Sequence, residues 1–273
     1  QVPLLEGLRD VSEETRTVNT TARPNPWLRW PALAGATLTA AAAVALVLWL
    51  VHPARQIEDL TTPMARRQAW TLADGTRVEL NAQTSLHVGL DGRERHVRLA
   101  GGEAFFAVSK DAARPFIVET PAGSVRVTGT RFDVRADSAT SLEVLVDEGS
   151  VQVRPGAGPA DAPRFLQAGD DLTAGPGGVA VRSLSGPELA DALAWRQGQI
   201  VFDGVPLREA LARFGRYHGR GFTVTAAAAE LRVGGRYSLD DVDGFCAALE
   251  EVLPVRVTRD LSGTTQFSLR SER

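Results

Sequence analysis

The dipeptide Gly129-Thr130, within SVRVTGTRFDVR, is where the sequence offers covalent chemistry. A threonine hydroxyl beside a twisted peptide bond is a nucleophile. In a self-cleavage reading Thr130 Oγ would attack the Gly129 carbonyl, the acyl group would pass from nitrogen to oxygen, and water would hydrolyse the ester. The competing reading is structural: Gly129 makes a bulge or a close backbone approach in a strand. Other candidates carry less. Asp170-Asp171 and Asp240-Asp241 are adjacent carboxylates, but neighbours in a strand or turn point to different sides. The second pair also suits the positive end of a helix dipole. His87 and His96 flank the Asp91-Gly92 turn and would meet across a hairpin, yet two histidines without a cysteine or carboxylate partner are a weak metal set. Cys246 is the sole cysteine, which excludes an intramolecular disulfide and a Cys-rich zinc site. It lies on a helical apolar stripe and reads as a core residue. No nucleophile elbow, P-loop or dinucleotide fingerprint is present. The chain reads as a non-enzyme with no cofactor and no metal.

The elements that carry these residues lie in a chain of 273 residues, 44% hydrophobic and 23% charged, with a formal net charge of -3. That is the composition of folded protein, and the length suits two domains. The slightly acidic balance argues against direct nucleic-acid binding. Residues 32–51, ALAGATLTAAAAVALVLWLV, carry no charge. As a helix they would rise about 1.5 Å per residue and span the roughly 30 Å hydrocarbon core. Trp27, Trp30 and Trp49 suit an aromatic belt. A buried globular helix would show a polar face, and a cleaved signal peptide would show a shorter apolar core and a small-residue cleavage site. A retained single-pass anchor is therefore expected. Arginines lie on both sides of it, so charge counting leaves the orientation open.

Residues 52–69 read as a linker. From Trp70 the apolar period is two, in short segments such as TRVEL, SLHVGL, EAFFAV and SLEVLV, separated by Asp74-Gly75, Asp91-Gly92, Ala122-Gly123 and Glu148-Gly149 turns. This predicts an all-β sandwich or roll over 70–182. The pattern then changes. Pro206 opens a helix with Leu207, Ala210, Leu211 and Phe214 on one stripe. Gly219 ends it, and Phe222–Thr225 read as a strand. Ser238 reads as the N-cap of a second helix that buries Phe245, Cys246, Leu249, Val252 and Leu253. Residues 183–273 are thus expected to form a small α+β domain, large enough to fold alone.

Several blocks then become specific. WTLADGTRVELNAQTSL (70–86), RHVRLAGGEAFFAV (95–108), RPFIVET (114–120), VRVTGTRFDVR (125–135) and LVDEGSVQV (145–153) resemble, in order, the blocks of the FecR domain. AWRQGQIVFDGVPLREALARFGRY (194–217) resembles the C-terminal region of FecR proteins, itself similar to the short N-terminal domain of secretins and TonB-dependent receptors. The resemblance implies an inner-membrane, single-pass anti-sigma regulator, with its N-terminus cytoplasmic and its C-terminus periplasmic. Its implied partners are an extracytoplasmic-function sigma factor and the signalling domain of a TonB-dependent outer-membrane receptor, commonly one that takes a ferric siderophore. Periplasmic and intramembrane proteases are further implied partners, and since some members self-cleave at the Gly-Thr motif, the resemblance makes Gly129-Thr130 a candidate for self-cleavage.

The front departs from the family. Residues 1–31 are a cytoplasmic remnant, too short for a sigma-binding domain, so either more chain precedes Gln1 or sigma binding is lost. In the small α+β domain an exposed strand edge would accept a partner strand. The expected edges lie around Phe222 and Val224 and around Arg232 and Tyr237. The alternative function is a periplasmic scaffold or receptor-binding module without control of a sigma factor.

Overall fold

A computed structural model describes residues 56–90, 94–156, 162–219, 221–260 and 264–270. The compact unit described here begins at Pro53 and runs to the end of the chain. Its first part is one continuous sheet of 13 strands folded into two layers. Six strands lead up to the fold: β1 (Gln56–Thr61), β2 (Gln68–Thr71), β3 (Arg77–Leu80), β4 (Ser85–Leu90), β5 (Arg95–Ala107) and β6 (Phe116–Thr120). Then come β7 (Gly123–Val127), β8 (Arg131–Ser138), β9 (Ser141–Glu148) and β10 (Ser150–Pro155). Three short strands close it: β11 (Arg164–Gln167), β12 (Asp170–Gly175) and β13 (Gly178–Ser183).

Strand β5 belongs to both layers. Its first half pairs with β4 and, in parallel, with β6; its second half pairs with β3 and β8. The first layer is therefore β11-β10-β7-β6-β5-β4-β1 and the second is β2-β3-β5-β8-β9-β12-β13. The change of layer falls at Gly101-Gly102. Gly102 has φ +99, and a Cβ there would lie 2.4 Å from Thr84 Oγ1. Only glycine allows this corner. Leu86, Val97, Leu99, Phe116, Val118 and Val125 from one layer meet Val78, Leu80, Phe106, Phe132, Val134 and Val144 from the other in a single core. Phe106 stacks on Phe132, with centroids 5.3 Å apart.

One buried cation pins the start of β5. Arg95 is 1% exposed. It donates to Asp74 Oδ2 at 3.0 Å and to the carbonyls of Ser109 and Arg114, each at 2.9 Å. Its guanidinium also lies over the Phe116 ring. Asp74 in turn accepts from the Thr76 backbone and hydroxyl. The Asp-Gly turn read from sequence is thus tied to the strand that spans both layers.

The second part begins with α1 (Gly186–Ala192), whose N-cap Ser185 forms a capping box with Glu188, and a 3-10 turn (Ala194–Gln197). Next come β14 (Gln199–Pro206), α2 (Leu207–His218), β15 (Phe222–Val224) and α3 (Ala226–Ala229), then β16 (Arg232–Ser238), α4 (Val242–Val252), β17 (Val255–Arg259) and β18 (Thr265–Leu269). Strands β14 and β16 form an antiparallel pair, and β15-β18-β17 form a mixed sheet. The predicted stripe of α2 is buried as expected, and Phe214 stacks on Phe245 at 3.9 Å.

The structure corrects several expectations. The expected fold began with a transmembrane helix, but no helix among the described residues is long and apolar enough to cross a membrane. The longest, α2, has 12 residues, and at about 1.5 Å per residue it falls well short of a roughly 30 Å core. The fold that stands is a two-layer β unit with an α+β part. The run at 32–51, the stretch at 1–31 and the Asp91-Gly92 turn lie outside the described residues. The stretch read as a linker contains β1, which pairs with β4 along its full length, and the start of β2. The second long helix is capped by Asp241, whose side chain accepts from Gly244 N at 2.8 Å, and not by Ser238. Val252, expected in the core, is 65% exposed.

Replacing Arg95 with alanine should cost about 3–5 kcal/mol, because Asp74 would be left buried without its cation. Urea denaturation of wild type and Arg95→Ala measures this, and a loss below about 1 kcal/mol would mean that the pair does not hold the corner.

Candidate functional site

Strict alternation fails at two places in the second layer, and the site grows from those failures. Phe105 and Phe106 are consecutive in β5, so one ring enters the core and the other must face outward. Val144, Leu145 and Val146 repeat the pattern in β9, and all three are buried. A strand buried on both faces reads as a continuous apolar run. What covers the outer face is the second part of the chain. Phe105 and Leu145 belong to the same cluster as Leu193, Trp195, Phe202, Phe214 and Phe245. The α+β part therefore shares a core with the sheet and is not a separately packed domain.

Strand register lays the outer face out in two rows. The first runs Glu79, Phe105, Asp133, Leu145, Asp171 and Arg182, each opposite the next. The second runs Glu103, Arg135 and Glu143. The 3-10 turn sits on the first row. Trp195 is 6% exposed. Arg196 binds Glu79 through two nitrogens, at 2.8 and 3.0 Å, and its guanidinium stacks 3.6 Å from the Phe105 centroid. Arg131 approaches the same ring at 5.8 Å. Gly198 ends the turn with φ +78, and a Cβ there would lie 2.5 Å from Arg67 Nη2 and 2.9 Å from Asp240 Oδ2. The W-R-x-G spelling is thus a docking element: an indole to bury, a guanidinium to pair and stack, and a glycine that lets a second ion pair pass.

That second pair is Arg67–Asp240, with bonds of 2.9 and 3.1 Å, and Arg67 also donates to the Tyr217 hydroxyl. Around it, Ala65 N donates to Tyr217 O at 2.8 Å, Gln83 reaches the Arg216 carbonyl, and Arg216 pairs with Asp137 at 2.6 Å. Between the two contacts lies a cleft of about 760 Å³, lined by Glu103, Arg135, Asp137, Trp195, Arg213 and Arg216 among others.

The electrostatics of this seam are uneven. Arg196 holds Glu79 below the usual carboxylate range. Arg67 does the same for Asp240. Asp133 is different. It is 6% exposed, and burial pushes its carboxyl well up, helped by the charges of Glu103 and Glu143 and opposed by Arg135 and Trp195. Glu103 is also raised by burial, although Arg135 and an Asn81 hydrogen bond of 2.5 Å oppose the shift. Arg135 itself is engaged by Glu143 and Asp137. Among the described residues, neither Asp133 Oδ1 nor Trp195 Nε1 has a partner of ordinary hydrogen-bond geometry, although the Trp195 side chain acts on Asp133 as a donor and opposes the rise of its pKa.

The residues singled out from sequence are scattered. Gly129-Thr130 forms the bend between β7 and β8, not the interior of a strand. Gly129 has φ +153, and a Cβ there would lie 2.7 Å from Lys110 Cα. Thr130 is 4% exposed; its hydroxyl donates to Ser150 O at 2.8 Å and its carbonyl accepts from Val108 N at 3.0 Å. Each of β15 and β16 has a single strand partner among the described residues, so each is an edge. Their side chains are engaged locally. Phe222 packs on Phe214 and Phe267, and Val224 joins the same core. Arg232 donates to Gly204 O, and the Tyr237 hydroxyl donates to Gly234 O, each at 3.0 Å. His87 and His96 do not meet: the first binds Asp59 and the second Glu94. Asp170 and Asp171 serve local turn and strand contacts with Ser183 and Arg182. Cys246 is buried in α4.

Residues 58–152 match the FecR protein family. Two crystal structures of a putative anti-sigma factor from Parabacteroides distasonis ATCC 8503, at 1.65 and 2.50 Å resolution, have the same fold. Each is 22% identical, with a TM-score of 0.66. The matches cover 78% and 79% of this chain and 100% of each neighbour. No curated protein matches.

Arg196→Ala should destabilise the seam by about 2–3 kcal/mol, through the lost charged hydrogen bonds and the lost stack. Arg196→Lys should recover only part, since lysine neither bridges both oxygens nor stacks flat. The pair carries an acid limb: its contribution is complete above the ordinary glutamate range and fades as pH falls through the lowered pKa of Glu79. Urea midpoints across pH should therefore show a shallower acid limb in Arg196→Ala than in wild type. Equal limbs in the two proteins would refute this account of the pair.

Proposed function

We propose that this chain, which carries a FecR domain over residues 58–152, is an anti-sigma regulator. The observation that carries the reading is the combination of that domain with the docked α+β part. The same two-part fold spans the whole of the anti-sigma factor structures it resembles. The site geometry suits a regulator that transmits and does not catalyse. Its charged residues are spent on joining two parts through Trp195, Arg196 and Arg67.

The finer reading is a relay. The described part lies on the periplasmic side and receives the signalling domain of a TonB-dependent outer-membrane receptor, and a cytoplasmic sigma factor is the output. A receptor strand would add to the open backbone of β15 or β16. Because Phe222 and Val224 turn into the core, such a partner would read backbone and flanking charges such as Arg232 more than those side chains. Trimming by proteases and self-cleavage at Gly129-Thr130 complete this reading.

A reporter driven by the partner sigma factor tests the function. Deletion or overexpression of the chain should change its output, whereas an unchanged reporter would favour a scaffold without sigma control. Cleavage is tested separately by intact mass. Wild type should part between Gly129 and Thr130, and Thr130→Ala should stay whole. An undivided wild type removes the cleavage step and leaves the regulator standing.

A further inference from the structure

The outer face of the second layer carries a charge surplus that its ion pairs do not remove. From β8 it presents Asp133, Arg135 and Asp137, from β5 Glu103, from β9 Glu143 and from β3 Glu79. The α+β part brings Trp195, Arg196 and Arg216 to the same face. Arg196 is spent on Glu79, Arg216 on Asp137, and Arg135 is shared by Glu143 and Asp137. Asp171, next along the row, has Arg182. That leaves Asp133 without an ion pair among the described residues, beside Glu103, flanked across the strands by Phe105 and Leu145. Burial in such a place disfavours the ionised form and holds the carboxyl well above the usual carboxylate range, against the opposing pull of Arg135 and Trp195.

We propose that the seam between the sheet and the α+β part is a proton-sensitive latch: Trp195 and Arg196 stay seated while Asp133 beneath them carries a proton, and unseat when it ionises. The seat itself is what removes Asp133 from water, since the residues covering that row belong to the 3-10 turn and its neighbours. Lifting the turn returns the carboxyl to solvent, where it titrates near the ordinary value of about 3.9. The closed seam therefore binds more protons than the open one from that value up to the raised pKa of the seated carboxyl. By linkage, closure is favoured as pH falls and weakened as pH rises, by up to about tenfold in its equilibrium constant per pH unit. This direction is opposite to that of the Glu79–Arg196 pair, which needs an ionised carboxylate. The two groups together give the seam an acid side and a basic side, with closure strongest between them. The latch stands apart from the regulator reading and does not require it.

The test uses the full chain and amide hydrogen exchange, expressed as protection relative to the free amide so that the intrinsic pH effect cancels. Between about pH 5 and about pH 8.5, protection over residues 194–198 should fall in wild type as pH rises, by up to about tenfold per pH unit. Protection in the buried core strands, at Leu80 and Phe116 for example, should hold. Asp133→Asn should keep the turn protected across the range, and Glu103→Gln should shrink the fall by removing the neighbouring charge. Protection that is flat with pH in wild type would overturn the latch. So would a fall of equal size in Asp133→Asn or, should that variant not fold, in Glu103→Gln.

Discussion

Strand β5 has to serve two sheets at once, and the rest of the molecule follows from how it does so. Its first half is held by the buried Arg95, which ties the Asp74 turn and the Ser109 and Arg114 carbonyls to one guanidinium. A glycine corner then turns the strand, because Thr84 leaves no room for a side chain at position 102. Its second half presents Phe106 to the core and Phe105 to the outer face. Without the corner, the residues after it would not face Asp133 and Arg135 on β8. The core and the docking face are thus two sides of one strand, set by alternation from a single fixed point.

The docking face combines burial with charge, which is costly unless each charge is answered. Glu79 is answered by a two-nitrogen bond from Arg196 that also flattens onto Phe105, so one side chain supplies charge and apolar cover together. Asp240 is answered by Arg67. Asp133 has no ion pair among the described residues, and burial pushes its carboxyl well above the usual carboxylate range. A buried acid beneath an indole is weaker glue than Leu145 or Phe105 would be. Its presence at the middle of the seam makes the seam conditional, where an all-apolar contact would be permanent.

Much of this was legible in the residues. Period-two alternation and the Asp74-Gly75 turn gave the β unit, and the stripe of Leu207, Ala210, Leu211 and Phe214 gave α2, because both rest on local geometry. The strand β1 was hidden because QIEDLT carries few apolar residues; its tertiary pairing with β4 makes it a strand. Ser238 lost the capping role to Asp241 because β16 runs on through Ser238. The seam was the least visible part. Its signals were present, in the doubled Phe105-Phe106 and in Val144-Leu145-Val146, but a run buried on both faces does not say what covers the second face. Nor does spacing reveal that Glu79 meets Arg196, 117 positions away. The conspicuous candidates, the histidines and the paired aspartates, went to local hydrogen bonds.

The α+β part also links its open edges to the seam by short steps. Tyr237 on β16 lies opposite Ile200 on β14, and its ring meets Phe245 edge-on at 5.1 Å. Just beyond β16, Leu239 N donates to Gly198 O at 2.8 Å, and Asp240 reaches Arg67. Gly198 closes the turn that seats Trp195 and Arg196. A strand added along β16 would therefore bear on residues one or two contacts from the seam, whereas one added along β15 would reach it only through Phe222, Phe214 and the helix between them. A partner that must loosen the seam gains more from β16. Gly235 has a positive φ, and a bulge between Phe202 and Val205 bends β14 where it pairs with β16. The physical asymmetry between the edges thus favours β16 as the side on which a bound strand would be felt at Trp195.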